Sequence, residues 1–295
     1  MAGRQSQPTP PSVLGIFGPT ASGKTAVAEE IAARIPAELV SADSMQVYRG
    51  LPILTNQDAG ARLVGIWPLD HQGTVGEYQA LAHAAIDEIA ASGRTPIVVG
   101  GSGLWFQAAL TDIELPAEVP AGARARWERL YDRRGAETAH AILEQRDPRA
   151  AARVHANDRK RVIRALELWQ AGGTLVPEQP RLWTAEIRLP AVVVGLDASR
   201  ETLAARIRAR ARAMFERGVE DEVRAAGDVA PQVLGLEAVR TLPREDAIAE
   251  LARATLRFAA YQRKWMRRIP GIVMIDAERP AGEVANAILE VARAR

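Results

Sequence analysis

The sequence predicts an α/β fold, a parallel sheet covered by helices and interrupted by an all-helical insertion, and three observations carry that reading. Short β-rich runs alternate with helical stretches toward both ends of the chain. The first run, Val13 to Phe17, passes directly into Gly18-Pro19-Thr20-Ala21-Ser22-Gly23-Lys24-Thr25 and then into an alanine-rich helical segment. That is the strand, loop and helix order a phosphate-binding loop requires. From about Leu115 to Leu189, by contrast, one arginine-rich helical pattern follows another, with no strand before a possible one at Thr184 to Arg188.

Taken in order, Val13 to Phe17 is wholly apolar and of strand length, so it reads as a buried strand. Lys24 to Arg34 reads as a helix and Glu38 to Ala42 as a second strand. Thr74 marks the entry to a helix over Val75 to Ser92. Thr95 to Val99 is a β-branched strand that ends in Gly100-Gly101-Ser102-Gly103, and Leu104 to Leu110 is helical. Strand signals return at Ala191 to Asp197 and at Ile272 to Asp276. The expected organisation is therefore a core over 13–115 and 190–295, with a helical insertion over 116–189. Pro116 and Pro120 mark its entrance, and Pro177, Pro180 and Pro190 its exit. Residues 1–12, rich in Gln, Pro and Ser, are expected to be disordered.

Composition narrows the function classes. Of 295 residues, 47% are hydrophobic and 25% charged, as in an ordinary soluble enzyme. No apolar run approaches the roughly 20 residues that span a bilayer, and the first dozen residues have no signal-peptide core, so a cytoplasmic protein without membrane contact is expected. The absence of cysteine excludes disulfides, thiolate metal sites and a Cys nucleophile. His71, His83, His140 and His155 lack metal-ligand spacing. The positive charge is nearly all arginine and it clusters: Arg124 to Arg134, Arg153 to Arg164, Arg206 to Arg212, and Arg263, Lys264, Arg267 and Arg268. The first cluster reads as a solvated helix face. The second and fourth have few interleaved acids, and Trp265 lies within the fourth, a pattern suited to a groove that holds a polyanion and stacks a base.

In the Gly18 to Thr25 loop, backbone N–H groups turn around an oxyanion at a helix N-terminus. Lys24 adds a mobile charge, and the Thr25 hydroxyl is a ligand for Mg²⁺. An NTP-hydrolysing machine would need an acid at the end of a second hydrophobic strand. The strand over Thr95 to Val99 ends in glycines instead, and the acid beside the loop is Asp43. A small-molecule kinase remains open on these residues, with Asp43 orienting an acceptor hydroxyl. No arginine-rich lid follows a strand.

Four stretches carry a resemblance: 18–25; Ser41-Ala42-Asp43-Ser44-Met45-Gln46-Val47-Tyr48-Arg49-Gly50; Val99-Gly100-Gly101-Ser102-Gly103-Leu104; and Asn157 to Glu167. Together they resemble the tRNA dimethylallyltransferases, from Gly18 to about Arg268. The resemblance implies a P-loop NTPase-like core. It also implies transfer of a dimethylallyl group from dimethylallyl diphosphate to the exocyclic amine of the adenosine 3′-adjacent to the anticodon, with release of diphosphate.

On that footing Gly18, Pro19, Thr20, Ala21, Ser22, Gly23, Lys24 and Thr25 cradle the diphosphate. Lys24, Mg²⁺ on Thr25 and Arg210 stabilise charge as it develops there. Asp43 removes the amine proton. Ser102 stands in place of the family's usual threonine. Asp43, Ser44, Met45 and Gln46 face the target nucleotide, with Gln46 on a base edge. Lys160, Arg161, Val162, Ile163 and Arg164 contact the RNA, as do Gln262, Arg263, Lys264, Trp265 and Arg267. The implied partner is a tRNA anticodon stem-loop met by a monomer without an obligate protein partner. Departures from the family pattern occur at Leu54-Thr55-Asn56-Gln57, at the shortened segment around His71, at Leu236-Glu237, and at Ala260-Tyr261-Gln262. Prenylation of a free adenine nucleotide and the kinase stay as alternatives.

Overall fold

The computed structural model describes residues 13–113, 119, 122–176, 187–227 and 233–294. Their chain forms two compact units, residues 1–112 with 185–295, and residues 113–184. The expected boundaries at 115/116 and 189/190 differ from these by a few residues. Residues 1–12, Pro116, Pro120, Pro177 and Pro180 lie outside the described residues, as does Thr184. Ile187 and Arg188 are not in a strand.

The first unit is built on five strands: β1 (Val13–Phe17), β2 (Ala37–Ala42), β3 (Thr95–Gly100), β4 (Ala191–Asp197) and β5 (Val273–Asp276). They pair in the order β2-β3-β1-β4-β5, all parallel. The carboxyl ends of β2, β3 and β1 are level, and β4 and β5 run two residues further. Phe17 stands opposite Gly100 on one side and Gly195 on the other, and Gly100 in turn stands opposite Ala42. Level strand ends bring Gly18, Gly101 and Asp43, each the residue after a strand, to one rim, where ligands of such sheets collect.

Strand side chains alternate between the two faces. On one face Leu14, Ile16, Val192 and Val194 pack under α1 (Lys24–Ala32) and α12 (Ala281–Arg293). On the other, Phe17 meets Phe106 edge to face at 5.2 Å; Phe106 belongs to α3 (Gly103–Leu110), which packs on α2 (Val75–Ala91). The α2 helix starts at a full capping box, in which Thr74 Oγ1 accepts from Glu77 N and Glu77 Oε2 from Thr74 N. Between β4 and β5, helices α8 (Arg200–Glu216), α9 (Val219–Ala225), α10 (Leu236–Thr241) and α11 (Arg244–Met266) build a second apolar cluster with Leu203, Phe215, Val219 and Leu251 at its centre.

The second unit comprises α4 (Ala123–Arg134), α5 (Ala136–Arg146), α6 (Pro148–Ala151) and α7 (Arg159–Gln170). Its own core contains Trp127, Leu143, Ile163 and Leu166. Among the described residues no helix is long and apolar enough to cross a membrane.

Candidate active site

The phosphate loop is shaped by two residues at positive φ, Ala21 at 67° and Gly23 at 89°. Gly23 is the N-cap of α1 and carries no side chain to satisfy the first-turn N–H groups, which stay available to an anion. Gly18 is a matter of space. A Cβ there would sit 2.6 Å from the Leu196 carbonyl and 2.8 Å from Ser22 Oγ. Ser22 Oγ is buried without a hydrogen-bond partner among the described residues. The Lys24 ammonium donates to the Pro19 carbonyl at 2.8 Å.

Thr20, Lys24, Thr25, Asp43 and Arg210 line one cavity of about 350 Å³. Desolvation pulls the Lys24 pKa down to about 8, partly offset by the Asp43 carboxylate and reinforced by the positive charge of Arg210. Desolvation likewise pushes the Asp43 carboxyl above its ordinary range, against the Met45 N–H, the Lys24 charge and the Gln46 N–H, which hold it down. Burial also lowers the Arg210 pKa. The helix period explains why Arg210 is the residue of its cluster that enters the cavity. Arg206 and Arg210 share a face of α8, whereas Arg208 and Arg212 point out and are exposed. Arg206 donates to the Ala21 carbonyl at 3.3 Å and to the Ala277 carbonyl, tying the loop to the end of β5.

On the acceptor side, Asp43 Oδ1 accepts from Met45 N at 2.9 Å and fixes the turn after β2. Ser102 Oγ accepts from Ser44 N at 3.2 Å and lies 3.2 Å from Ser44 Oγ, joining the turns after β2 and β3. The cavity wall also carries the apolar Met45, Leu54, Ile207, Ala211, Met214, Leu234, Leu251 and Phe258, interleaved with the polar Glu29, Gln46, Thr55, Asn56 and Thr255. Sequence reading missed most of these residues, because a core leucine and a pocket leucine leave the same pattern.

Several expected RNA contacts are placed otherwise. Gln46 lines the cavity, but its side-chain oxygen accepts from Ser41 Oγ at 3.0 Å and its Nε2 donates to the Asn56 carbonyl at 2.9 Å, so the amide also ties its own chain together. Gln262 is 1% exposed, and its Oε1 accepts from Thr20 N at 2.7 Å. Arg263 is clamped by Asp197, with Nε at 3.0 Å and Nη2 at 2.8 Å from the same carboxylate oxygen. Val162 and Ile163 are buried in the core of the second unit, since they lie on the inner face of α7. Lys160 and Arg161 are exposed in the first turn of that helix, and Arg164 is half-buried beside the buried Glu167 at 3.2 Å. Lys264 and Arg267 are exposed, while Trp265 is half-buried with its ring against Gly103. The His71 ring packs against Trp67 at 4.8 Å with a tilt of 44°, and His71 is not among the residues lining the cavity.

A family model described as IPP transferase matches residues 46–269. A protein of Acidothermus cellulolyticus named tRNA dimethylallyltransferase is 38% identical over 96% of this chain and 92% of its own. One of the same name from Streptomyces coelicolor is 38% identical over 90% of this chain and 91% of its own. The crystal structure of a full-length tRNA isopentenylpyrophosphate transferase from Bacillus halodurans superposes with a TM-score of 0.67 at 30% identity, covering 96% of this chain and 97% of that one.

Proposed function

The chain belongs to the IPP transferase family, and from that premise we propose that it transfers a dimethylallyl group from dimethylallyl diphosphate to the exocyclic amine of the adenosine 3′-adjacent to the anticodon in tRNA. The observation that carries the reading is the mixed lining of one cavity. Lys24, Arg210 and the phosphate loop line it together with the apolar Met45, Ile207, Met214, Leu251 and Phe258. A short prenyl chain on a diphosphate needs both kinds of surface.

In this mechanism the adenine amine attacks the allylic carbon while the carbon–oxygen bond to the diphosphate breaks. Asp43 accepts the proton that the amine gives up. The electron pair of the broken bond stays on the diphosphate, where Lys24, Arg210 and the N-terminus of α1 meet the added charge. The Thr25 hydroxyl, a hard oxygen donor that lines the same cavity as Lys24, would hold Mg²⁺. When bound, the ion supplies further charge neutralisation on the leaving group. The adenine is expected to leave the loop stack to reach a wall this enclosed.

RNA binding is supported by the N-terminus of α7. Lys160 and Arg161 stand exposed in its first turn, behind the N-cap Asp158, whose carboxylate accepts from Arg161 N at 3.2 Å and lies 3.5 Å from Arg161 Nε. The two cations would meet a phosphate through their side chains. In the first unit, exposed Lys264 and Arg267 offer a polyanion contact of their own. The test is incubation with labelled dimethylallyl diphosphate and an anticodon stem-loop, followed by the mass of the modified nucleoside. Transfer to AMP in place of the stem-loop, or to neither, would sink the proposal.

A further inference from the structure

Gln262 is a polar side chain in an apolar place. It is 1% exposed and lies on α11 between Phe258, which lines the cavity, and Trp265, whose ring fills the space beside Gly103. A buried primary amide is costly unless it is hydrogen-bonded. Here the bond runs to Thr20 N, across 242 residues of sequence, at 2.7 Å. The other end of the amide closes on the turn after β3. A Cβ on Gly101 would collide with Gln262 Nε2 and would stand 2.8 Å from the Gly18 carbonyl. Glycine at 101 is therefore what lets the amide enter between the two loops.

The contacts continue on both sides. Gly101 precedes Ser102, whose hydroxyl accepts from Ser44 N beside Asp43. Next to Gln262 on the helix, Arg263 is locked to Asp197 at the end of β4. The α11 helix thus reaches the loops leaving β1 and β3 and the carboxyl end of β4, and Gln262 is its contact to the phosphate loop.

We propose that Gln262 is a positioning residue that sets the phosphate loop against the turn carrying Ser102, and so holds the donor and acceptor halves of the site at a working distance. The inference rests on the loop being a diphosphate cradle, as proposed above. Gln262 touches neither RNA nor the reacting atoms. Its contribution is to order Thr20 in advance, so that the ordering cost is not charged to ligand binding.

The experiment compares the full chain with Gln262→Leu and Gly101→Ala, each checked by thermal unfolding. It measures the affinity for inorganic pyrophosphate by calorimetry and for an anticodon stem-loop by fluorescence anisotropy. The expected result for Gln262→Leu is about tenfold weaker pyrophosphate binding with stem-loop affinity within about twofold of wild type, the size of effect expected of one buried hydrogen bond. Gly101→Ala should give the same pattern, because its methyl displaces the amide although residue 101 offers RNA no polar side chain. In transfer assays both variants should raise the donor KM and lower kcat, since the two loops then meet out of alignment. Equal or tighter pyrophosphate binding by Gln262→Leu would overturn the inference, because it would mean that releasing the Thr20 N–H simply supplies another donor. Loss of stem-loop affinity instead would make Gln262 an RNA contact and overturn it too. Failure of the wild-type chain to bind pyrophosphate would overturn the reading of the loop itself, a separate result.

Discussion

The Lys24 ammonium is folded back on its own loop, donating to the Pro19 carbonyl at 2.8 Å. Its pKa of about 8 lies below the ordinary lysine value because burial disfavours the charge. A lysine whose folded pKa is depressed destabilises the empty protein below that pKa, and stability recovers as pH rises from about 8 toward the unfolded value of 10.5. Diphosphate binding requires the opposite state. Calorimetry in buffers of different ionisation enthalpy should show proton uptake on pyrophosphate binding that grows above pH 8. Lys24→Met should bind weakly and lack that uptake.

Asp43 is a base only while ionised, and its pKa is raised by its enclosure. The acid limb of the kcat/KM profile should therefore lie above the ordinary aspartate range near 4, with activity lost as pH falls through it. Asp43→Asn retains an oxygen for the Met45 N–H, so the turn should hold. Transfer should drop by about 10²- to 10⁴-fold with stem-loop affinity unchanged. A wild-type rate in Asp43→Asn would remove the base from the mechanism.

Glu222 on α9 accepts from Ile53 N at 2.7 Å and Leu54 N at 2.8 Å, pinning the turn that brings Leu54 and Thr55 to the cavity wall. Glu222→Ala leaves two amides without their acceptor and should cost about 1–3 kcal/mol, seen as a lower denaturant midpoint. The donor KM should rise with it, because Leu54 and Thr55 of the cavity wall are no longer held.

In the second unit, the two faces of α7 should separate binding from stability. Lys160→Glu and Arg161→Glu should weaken stem-loop binding, and neutralising either residue should make the salt dependence shallower by about 0.7–0.9 for each phosphate it had neutralised. Ile163→Ala should instead cost about 2–4 kcal/mol in stability and leave that slope alone. A changed slope in Ile163→Ala would return this residue to the RNA surface.

Much of the fold was legible because its signals are local. The apolar run at Val13 to Phe17, the β-branched Thr95 to Val99 and the Thr74 cap each state their own conformation, and the observed elements begin or end within a few residues of the expected ones. Lys24, Asp43 and Arg210, expected to act together, line one cavity. What sequence could not show was the direction of a side chain within a motif. Val162 and Ile163 sit between basic neighbours, yet two residues along a helix reverse the face. Gln262 sits among Arg263, Lys264 and Trp265 but turns inward, because its partner, Thr20 N, is 242 residues away. Gln46 lies in a motif aimed at substrate, but Ser41 and Asn56 occupy its amide.

The second unit departs from the chain between α3 and β4, inside the crossover that carries the backbone past β1 to the far half of the sheet. Lengthening such a connection costs only about 0.6 kcal/mol of closure entropy for each doubling, and a segment with its own Trp127 and Leu143 core brings its own folding free energy. The crossover is thus an expansion port. The sheet's registry is indifferent to how much chain passes through it, so the residues at the strand ends and the helical unit can vary independently.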